Sequence, residues 1–372
     1  MRILHVYPKS DFFTGAAVQL FELARELARR GHHIVLVTRP SRLWAERSSA
    51  LGITHYEVPM TSEIDVRSAV RFREIIGHHG IDVVHAHKGK ARTLALMAGL
   101  FVEIPVLILN RGVSFPLGRL QRLGFTTRRV TGIIAVCEAI KRSLVDSGVP
   151  SQKIEVIYSG TDTARFHSGI DGAAVRRELG FTSQHFVCTQ IGVRSWKGND
   201  DAIDAMVWLA TRAPQTRLLI VGARNPESLY ERVRRNRLDA MIRVIGYRED
   251  IPQILAASDC CVDASYAGLG LTGTLREALA VGTPVIGTNI EGNPELVSHG
   301  KTGLLVPPRR PEALARAILE TQQCLDVARA MAMEGQRRVR TSFSLAAKAD
   351  RTEAFYRRLL GVTEAGRVGL MP

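Results

Sequence analysis

The sequence has few of the residues that mark several large classes of protein. Only 6% of its 372 residues are aromatic, and no zinc-ligand spacing accompanies the net charge of +14, so nucleic acid is the least favoured partner. Five cysteines, an odd number, do not suggest a disulfide framework and fit a reducing cytoplasm. No apolar run reaches the ~18 residues of a membrane span. The first residues, MRILHVYP, are interpreted as a strand rather than a signal peptide, which predicts a cytoplasmic protein.

Positive charge is concentrated in the first half of the chain. Up to Arg165 there are 23 Lys and Arg against 14 Asp and Glu, a balance of +9, which leaves +5 for the remainder. A charge of this sign favours an anionic partner, either a small phosphate-bearing substrate or an anionic lipid surface.

Predicted strands and helices alternate almost throughout, which favours parallel sheets covered by helices on both faces. The length predicts two domains, and an irregular stretch, Tyr158–Ser168, separates two series of strands. We expect an α/β protein with two doubly wound, Rossmann-like domains, residues 1–165 and 166–344, facing each other across a ligand cleft. The pattern of segment 345–372 permits its helix to pack back on the first domain. The predicted strands are Arg2–Tyr7, His33–Thr38, Asp82–His85, Val106–Leu109, Gly132–Val136, Ile154–Ile157, Phe186–Ile191, Arg217–Val221, Ile242–Ile245, Cys260–Asp263, Pro284–Gly287 and Gly303–Val306.

The segment TQIGVRSWKG, residues 189–198, joins a buried strand to a helix. Gly192 and Gly198 let the backbone approach a ligand closely, and Arg194 and Lys197 place two cations between them. Helix N-terminal N–H groups and fixed cations both favour an anion, so a phosphate or diphosphate fits here. The alternative is a solvated basic loop.

A second segment, LGLTGTLREALA at residues 269–280, is typical of a glycine-rich loop that opens a helix. Gly270 and Gly273 allow close backbone approach, and Thr272 and Thr274 can cap the helix or bond a phosphate. The carboxylate of Glu277 can accept two hydroxyl hydrogen bonds from a ribose. The alternative is that Glu277 only favours the helix dipole.

Together these motifs resemble glycosyltransferase family 4, the retaining nucleotide-sugar transferases of the GT-B fold. The resemblance covers nearly the whole chain, and its specificity lies in the order and spacing of the motifs. They are TGAAVQLFELARELARRGHHIVLVT, DVVHAH, IIAVCEAIK, VIYSGTDTARF, GVRSWKGND, IRVIGYREDIPQILAASD and the Glu277 segment.

The resemblance implies a role for each matching residue. Arg194 and Lys197 would grip the donor diphosphate beside Gly192, and Glu277 would hold the ribose. Gly15 would let the first domain's loop close over the donor. The implied donor-binding residues further include Tyr247, Arg248 and Asp250 beside the base, and Gly270, Thr272, Gly273 and Thr274 at a phosphate.

The chain departs from the family pattern at two places. The family carries two glutamates separated by seven residues, and Leu269 replaces the first, which contacts the transferred sugar. A family histidine after the strand Val106–Leu109 is replaced by Asn110 and Arg111. The sugar or acceptor would then be held by other groups, for which Arg111, Asn293 and His87 are candidates. The alternatives are a surface arginine at 111 and a structural histidine at 87.

The sequence has no Asp-x-Asp metal motif and no evident pair of catalytic carboxylates. For a retaining GT-B enzyme this is expected, since the leaving diphosphate can itself take the acceptor's proton while fixed cations neutralise its charge. We expect catalytic roles for Arg194, Lys197 and Glu277, no metal, and no cofactor apart from a UDP- or GDP-linked donor.

Residues 113–129, VSFPLGRLQRLGFTTRR, interleave apolar and cationic side chains in the expected acceptor domain. The segment predicts a peripheral contact with an anionic inner membrane or a site for an acceptor lipid; the alternative is a partly buried helix with a solvated basic face. By resemblance, the protein is expected to glycosylate a glycan or lipid-linked acceptor in bacterial envelope polysaccharide or lipopolysaccharide synthesis. A sugar-nucleotide epimerase and a non-catalytic binding protein on the same fold remain the alternatives.

Overall fold

The computed structural model describes residues 1–12, 14–268 and 270–361. The chain divides into two compact units, one formed by Met1–Gly160 with the segment from Leu345, and the other by Thr161–Ser344. Two expectations from the sequence concern residues outside the described ranges. One is the replacement of the family glutamate by Leu269, and the other is the part of segment 345–372 that follows residue 361.

The N-terminal unit is built on a seven-stranded parallel sheet with the order β3-β2-β1-β4-β5-β6-β7. Its strands are β1 (Arg2–Tyr7), β2 (His33–Thr38), β3 (Thr54–Glu57), β4 (Val83–His87), β5 (Val106–Arg111), β6 (Gly132–Ala135) and β7 (Ile154–Val156). Its first helices are α1 (Gly15–Arg29), α2 (Arg42–Ala50), α3 (Val66–His79), α4 (Gly89–Ala98), α5 (Arg119–Thr126) and α6 (Glu138–Asp146). Strands β1, β2, β4, β5 and β6 are buried apart from a few terminal positions, whereas the edge strand β3 is half-buried or exposed. Hydrophobic clusters cover both faces of the sheet.

The second unit has a six-stranded parallel sheet with the order β10-β9-β8-β11-β12-β13. Its strands are β8 (Phe186–Ile191), β9 (Thr216–Val221), β10 (Ile242–Ile245), β11 (Cys260–Asp263), β12 (Val285–Thr288) and β13 (Leu304–Val306). Its helices are α7 (Ala173–Glu178), α8 (Asn199–Leu209), α9 (Glu227–Arg235), α10 (Ile251–Ala256), α11 (Gly273–Val281), α12 (Asn293–Leu296), α13 (Pro311–Gln323) and α14 (Leu325–Ser342). The order reverses between β8 and β11, and ligands of such sheets bind outside the carboxyl ends of the strands at that point.

The last described helix, α15 (Leu345–Leu359), returns to the N-terminal unit and packs on α1. Arg30, the C-cap of α1, donates to Asp350 at 2.6 Å and to Glu353 at 3.2 Å. The Lys348 ammonium donates to the Gln19 carbonyl at 2.6 Å. Phe355 and Tyr356 of α15 are buried against the sheet. The helix therefore completes one face of the first unit.

The prediction of two parallel-sheet α/β domains is confirmed, and each predicted strand lies within two residues of an observed one. Three elements between Arg42 and His79 were not predicted, namely α2, β3 and α3. The amphipathic segment 113–129 contains a helix only at α5, because residues 113–118 are extended or irregular.

Candidate active site

The loop after β8 owes its shape to two glycines. Gly192 and Gly198 have φ angles of 97° and 62°, in the region that side chains disfavour. A Cβ on Gly198 would lie 2.0 Å from the carbonyl oxygen of Ala264, so the two backbones are in direct contact. Only glycine permits this approach, which brings the loop after β8 against the loop after β11.

Lys197 is held by a buried carboxylate. Its ammonium donates to Asp263 at 2.6 Å, and the Asp263 side chain is only 1% exposed. The other oxygen of Asp263 accepts the backbone N–H of Ser265 at 3.2 Å. Gln190 donates its amide to the Lys197 carbonyl at 2.9 Å. The predicted cation is therefore positioned at the end of the sheet, with much of its charge compensated.

Arg194 has a different environment, because it is exposed on the outer part of the loop. Its guanidinium donates to the carbonyl of the preceding residue, Val193, at 2.7 Å, and no carboxylate of the described chain lies within ion-pair distance. Arg194 therefore has positive charge available for an anion, whereas Lys197 shares its charge with Asp263.

Tyr266 joins the same two loops. Its N–H donates to the carbonyl of Trp196 at 2.9 Å, its hydroxyl donates to the carbonyl of Ser195 at 2.5 Å, and the Arg309 guanidinium lies 4.1 Å from its ring centre. These bonds fix the backbone that carries Arg194 and Lys197.

The glycine-rich loop before α11 is tied down by two buried side chains. The Thr272 hydroxyl donates to the Asn293 amide oxygen at 2.6 Å, and the Asn293 amide nitrogen donates to the Thr288 carbonyl at 3.0 Å. Thr272 and Asn293 are buried, so a sugar contact by the Asn293 side chain would require these bonds to break. The hydroxyl of Thr274, in the first turn of α11, is buried without a hydrogen-bond partner in the described chain.

Glu277 lies one turn further along α11 and is half-buried. In the described chain its carboxylate makes neither a hydrogen bond nor an ion pair, so both oxygens can accept from a ligand. Desolvation raises the pKa of Glu277, while the charges of Arg276, Arg165 and Lys197 act to lower it. Lys197 follows β8 and Glu277 follows β11, and these strands are neighbours in the sheet, so both predicted catalytic residues come after the carboxyl ends of adjacent strands.

The neighbouring Arg276 is not among the site residues that the sequence predicts. It is almost wholly buried, donates from Nε to the Thr161 hydroxyl at 2.7 Å, and has its pKa lowered to about 10 by desolvation. It brings a positive charge beside Glu277 and ties α11 to the start of the second unit.

The predicted base-flanking residues follow β10. Arg248 forms charge-assisted hydrogen bonds with Asp250 at 2.6 and 2.8 Å and with Glu178 at 2.5 and 2.9 Å, which raises the pKa of the arginine and lowers the pKa of each carboxylate. Tyr247 is 57% exposed. An open cavity of about 440 Å³ lies beside this loop; it is lined by Arg165, His167, Ile170, Glu249, Asp250, Pro252 and Gln253.

Three predicted residues belong to the N-terminal unit. Gly15 is the first residue of α1, directly after the capping Thr14, and has open space where a Cβ would stand. Arg111 ends β5 half-buried and bonds the carbonyl of Phe115, while desolvation and then the charge of Arg92 lower its pKa. His87 ends β4 and is buried beside His5.

Sequence reasoning located both loops of the second unit but missed Gln190, Asp263, Tyr266 and Arg276. A role for Asp263 is predictable from the sequence, since it is an acidic residue at the end of an otherwise apolar strand at the sheet's reversal point. The roles of Tyr266 and Arg276 are not predictable from the sequence, because they depend on contacts between loops that are distant along the chain.

Two family models match the chain in sequence. Residues 13–165 match the glycosyltransferase family 4 model, and residues 185–323 match the model for glycosyl transferases of group 1. The chain belongs to the family 4, group 1 glycosyltransferases. The first match spans β2 to β7 of the first sheet and the second spans β8 to β13 of the second, so both halves of this glycosyltransferase support the assignment.

Two curated relatives are similar to this glycosyltransferase over most of their length. The N-acetyl-alpha-D-glucosaminyl L-malate synthase of Bacillus anthracis is 25% identical over 311 residues, or 78% of this chain and 80% of the relative. The phosphatidyl-myo-inositol mannosyltransferase of Mycobacterium tuberculosis H37Rv is 25% identical over 342 residues, 86% of each chain.

Among solved structures, HepE of Anabaena in complex with UDP-glucose matches with a TM-score of 0.84. The match covers 96% of this glycosyltransferase and 100% of HepE at 20% sequence identity. At this identity it shows that the two proteins share a fold. The fold of this glycosyltransferase is GT-B, with two parallel-sheet α/β domains. Within residues 1–12, 14–268 and 270–361, none of its helices combines the length and apolarity of a membrane span.

Proposed function

We propose that this glycosyltransferase moves a sugar, with retention, from a UDP- or GDP-linked donor to a glycan or lipid-linked acceptor without a metal ion. The observation that carries the proposal is the grouping of Arg194, Lys197 and Glu277 around the reversal point of the second sheet. Two cations and an unpartnered carboxylate suit a diphosphate joined to a ribose.

The charges of the site support departure of a diphosphate. As the sugar–phosphate bond breaks, negative charge grows on the leaving oxygen, and exposed Arg194 can neutralise it directly. Lys197 can contribute by partly leaving Asp263, and the unpartnered Thr274 hydroxyl can donate at the start of α11. These groups would do what a divalent cation does in other transferases.

Retention is proposed to follow from attack on the face that the diphosphate leaves. A double displacement would need a carboxylate nucleophile beside an acid. Asp263 is buried against Lys197 and the backbone, while Glu277 is assigned to the ribose. The leaving phosphate oxygen would therefore take the proton of the acceptor hydroxyl on the same face.

A lipid-linked acceptor is supported by the surface of the N-terminal unit. Helix α5 exposes Leu120 at 84% and Leu123 at 66%, and Phe115 just before it is 50% exposed. Exposed arginines occupy positions 119, 122, 128 and 129 of the same segment. Exposed apolar side chains interleaved with cations suit the interface of an anionic membrane. The name of the mycobacterial relative also specifies a lipid acceptor. Synthesis of bacterial envelope polysaccharide or lipopolysaccharide is the proposed setting.

The proposal is tested by incubating the full chain with UDP-glucose, UDP-N-acetylglucosamine or GDP-mannose and a panel of lipid-linked glycan acceptors. We expect acceptor-dependent release of UDP or GDP, and a product whose anomeric configuration by NMR matches that of the donor. Arg194→Gln is the matched variant, since it removes an exposed charge that makes no ion pair. An inverted product would overturn retention, and equal release by Arg194→Gln would overturn the assigned site.

A further inference from the structure

Three histidines lie side by side within the N-terminal sheet. His85 and His87 alternate along β4 and so point to the same face, and His5 of β1 is the direct register partner of His85. The ring centroids are 4.1 Å apart for His85 and His87, and 5.2 and 5.5 Å from His5 to these two. All three side chains are buried, and His87 is the most accessible at 7%.

The nitrogen atoms of this group, termed here the histidine cluster, are not all satisfied by the protein. His5 Nδ1 lies 3.2 Å from His87 Nε2, and His85 Nδ1 lies 2.6 Å from the Tyr356 hydroxyl. His5 Nε2 and His85 Nε2 are buried with no hydrogen-bond partner in the described chain. A buried polar atom without a partner is costly, and for His85 Nε2 a bound ion is one way to satisfy it.

The spacing of the cluster suits a transition metal. One nitrogen from each histidine lies within 4.8 Å of the other two. Two imidazole nitrogens bound tetrahedrally to zinc at about 2.0–2.1 Å stand roughly 3.3 Å apart. The 3.2 Å separation of His5 Nδ1 and His87 Nε2 already matches that value.

Tyr356 provides the support that a ligating histidine usually has. The hydrogen bond between His85 Nδ1 and the Tyr356 hydroxyl can form with either group as the donor. In the tautomer in which His85 donates Nδ1–H, its buried and unpartnered Nε2 carries the lone pair that a metal needs. A bound ion would select that tautomer.

The charge state of the cluster is also suitable. Burial lowers the pKa of all three imidazoles, that of His5 to about 3, so that they are neutral near pH 7. Neutral imidazole is the metal-binding form. The ammonium of Lys348 opposes metal binding, because it would repel a cation. Its positive charge also lowers the pKa of all three imidazoles.

We propose that His5, His85 and His87 form a three-histidine site for a divalent first-row transition metal such as Zn²⁺ or Co²⁺. Imidazole ligands favour this class over Mg²⁺ or Ca²⁺. The bound ion would join β1 to β4 at the reversal point of the first sheet. His87 then acts as a metal ligand and not as a sugar contact. The proposal does not depend on the proposed transfer reaction, in which the ion takes no part.

Metal binding by the full chain tests the proposal. The protein is stripped with EDTA, desalted and titrated with Co²⁺, whose visible spectrum reports a low-symmetry nitrogen site. We expect one Co²⁺ per chain, displaced by Zn²⁺. Either His5→Gln or His87→Gln should weaken binding by at least about 100-fold, since each removes a ligand. Lys348→Met should tighten binding a few-fold, because it removes a repelling charge and keeps the length of the side chain.

A surface histidine group provides the matched control. His33 Nε2 and His79 Nδ1 are 3.4 Å apart on the exterior, with His78 adjacent. His79→Gln should leave Co²⁺ binding unchanged. Loss of binding in His79→Gln, or its retention in a folded His5→Gln or His87→Gln protein, would overturn the assignment. So would failure of the folded wild-type chain to bind Co²⁺ at micromolar concentrations; circular dichroism establishes folding in each case.

Discussion

Lys197 and Asp263 form a pair in which each residue depends on the other. Replacing Lys197 alone leaves the Asp263 charge buried and uncompensated, which costs about 3–5 kcal/mol of stability. A loss of activity in Lys197→Ala would then combine a folding defect with the loss of a phosphate contact, and one variant cannot separate them.

We therefore predict the behaviour of the double variant Lys197→Ala/Asp263→Asn. Its thermal stability should return toward the wild-type value, because no buried charge remains. Its turnover should stay at least about tenfold lower, because a charge-assisted phosphate contact contributes about 1.5–3 kcal/mol. Near-normal turnover in this stable protein would show that Lys197 does not contact the diphosphate.

Glu277 provides a second prediction at a single residue. Glu277→Gln preserves the shape but loses the charged acceptor, so donor affinity measured by calorimetry should fall by about 1–3 kcal/mol. Glu231→Gln, at an exposed position of α9, should bind the donor as the wild type does. Equal affinity of Glu277→Gln and wild type would leave Glu277 as a residue that only favours the helix dipole.

The pH dependence of donor binding should also depend on the Glu277 carboxylate. Desolvation raises the pKa of Glu277 above the ordinary value of 4.5, so it takes up a proton at higher pH than exposed glutamates do. Wild-type donor affinity should consequently decline as the pH falls toward that raised pKa. Glu277→Gln, which cannot titrate there, should lack this decline.

At the scale of elements, the contact between the loops after β8 and β11 depends on Gly198. Gly198→Ala places a methyl group against the Ala264 carbonyl in a left-handed conformation. Gly300→Ala in the same unit has a similar φ of 72° but open space, and should cost only the conformational penalty of about 1–2 kcal/mol. We predict a larger fall in Tm for Gly198→Ala, and weaker donor binding in that variant alone. If Gly198→Ala and Gly300→Ala lowered the Tm and the calorimetric donor affinity by equal amounts, the loops would not need this close approach.

Helix α5 supports a prediction about membranes. Binding of the protein to anionic liposomes should fall steeply with ionic strength, because each Arg near the surface contributes ~1 kcal/mol that salt screens. Arg119, Arg122, Arg128 and Arg129 changed to Gln should weaken binding further, whereas Leu120→Ser with Leu123→Ser should weaken it without changing the salt dependence. Sedimentation with vesicles measures both, and equal binding to neutral vesicles would contradict the electrostatic part.

The elements also show what the sequence could and could not predict. Continuous apolar runs such as Val106–Leu109 are visible in sequence because both faces of the sheet are buried. Strand β3, by contrast, reads THYE and lies at the edge of its sheet, half-buried or exposed, so it has no such run. The loops of the site follow from glycines at strand ends. Lys197 and Asp263, however, are 66 positions apart in the sequence, and their pairing can be predicted only when the order of the strands is known.

For the whole molecule, the proposed chemistry predicts independence from metal. Initial rates of sugar transfer should be the same, within about twofold, in EDTA and in Mg²⁺, because Arg194, Lys197 and the start of α11 take the role of the cation. The rates are measured as nucleotide release. Loss of activity in EDTA that only Mg²⁺ or Mn²⁺ restores would contradict the proposed leaving-group chemistry.

The return of α15 to the N-terminal unit bears on how the protein is made. The first 160 residues leave the ribosome early, but the helix that covers one face of their sheet is synthesised only after the entire second unit. At typical rates of translation this delay lasts roughly 10–40 s. During that time the surface destined for Phe355 and Tyr356 is open to solvent in the nascent chain. The N-terminal half is thus begun first and finished last, and we expect chaperones that bind nascent chains to act on this half.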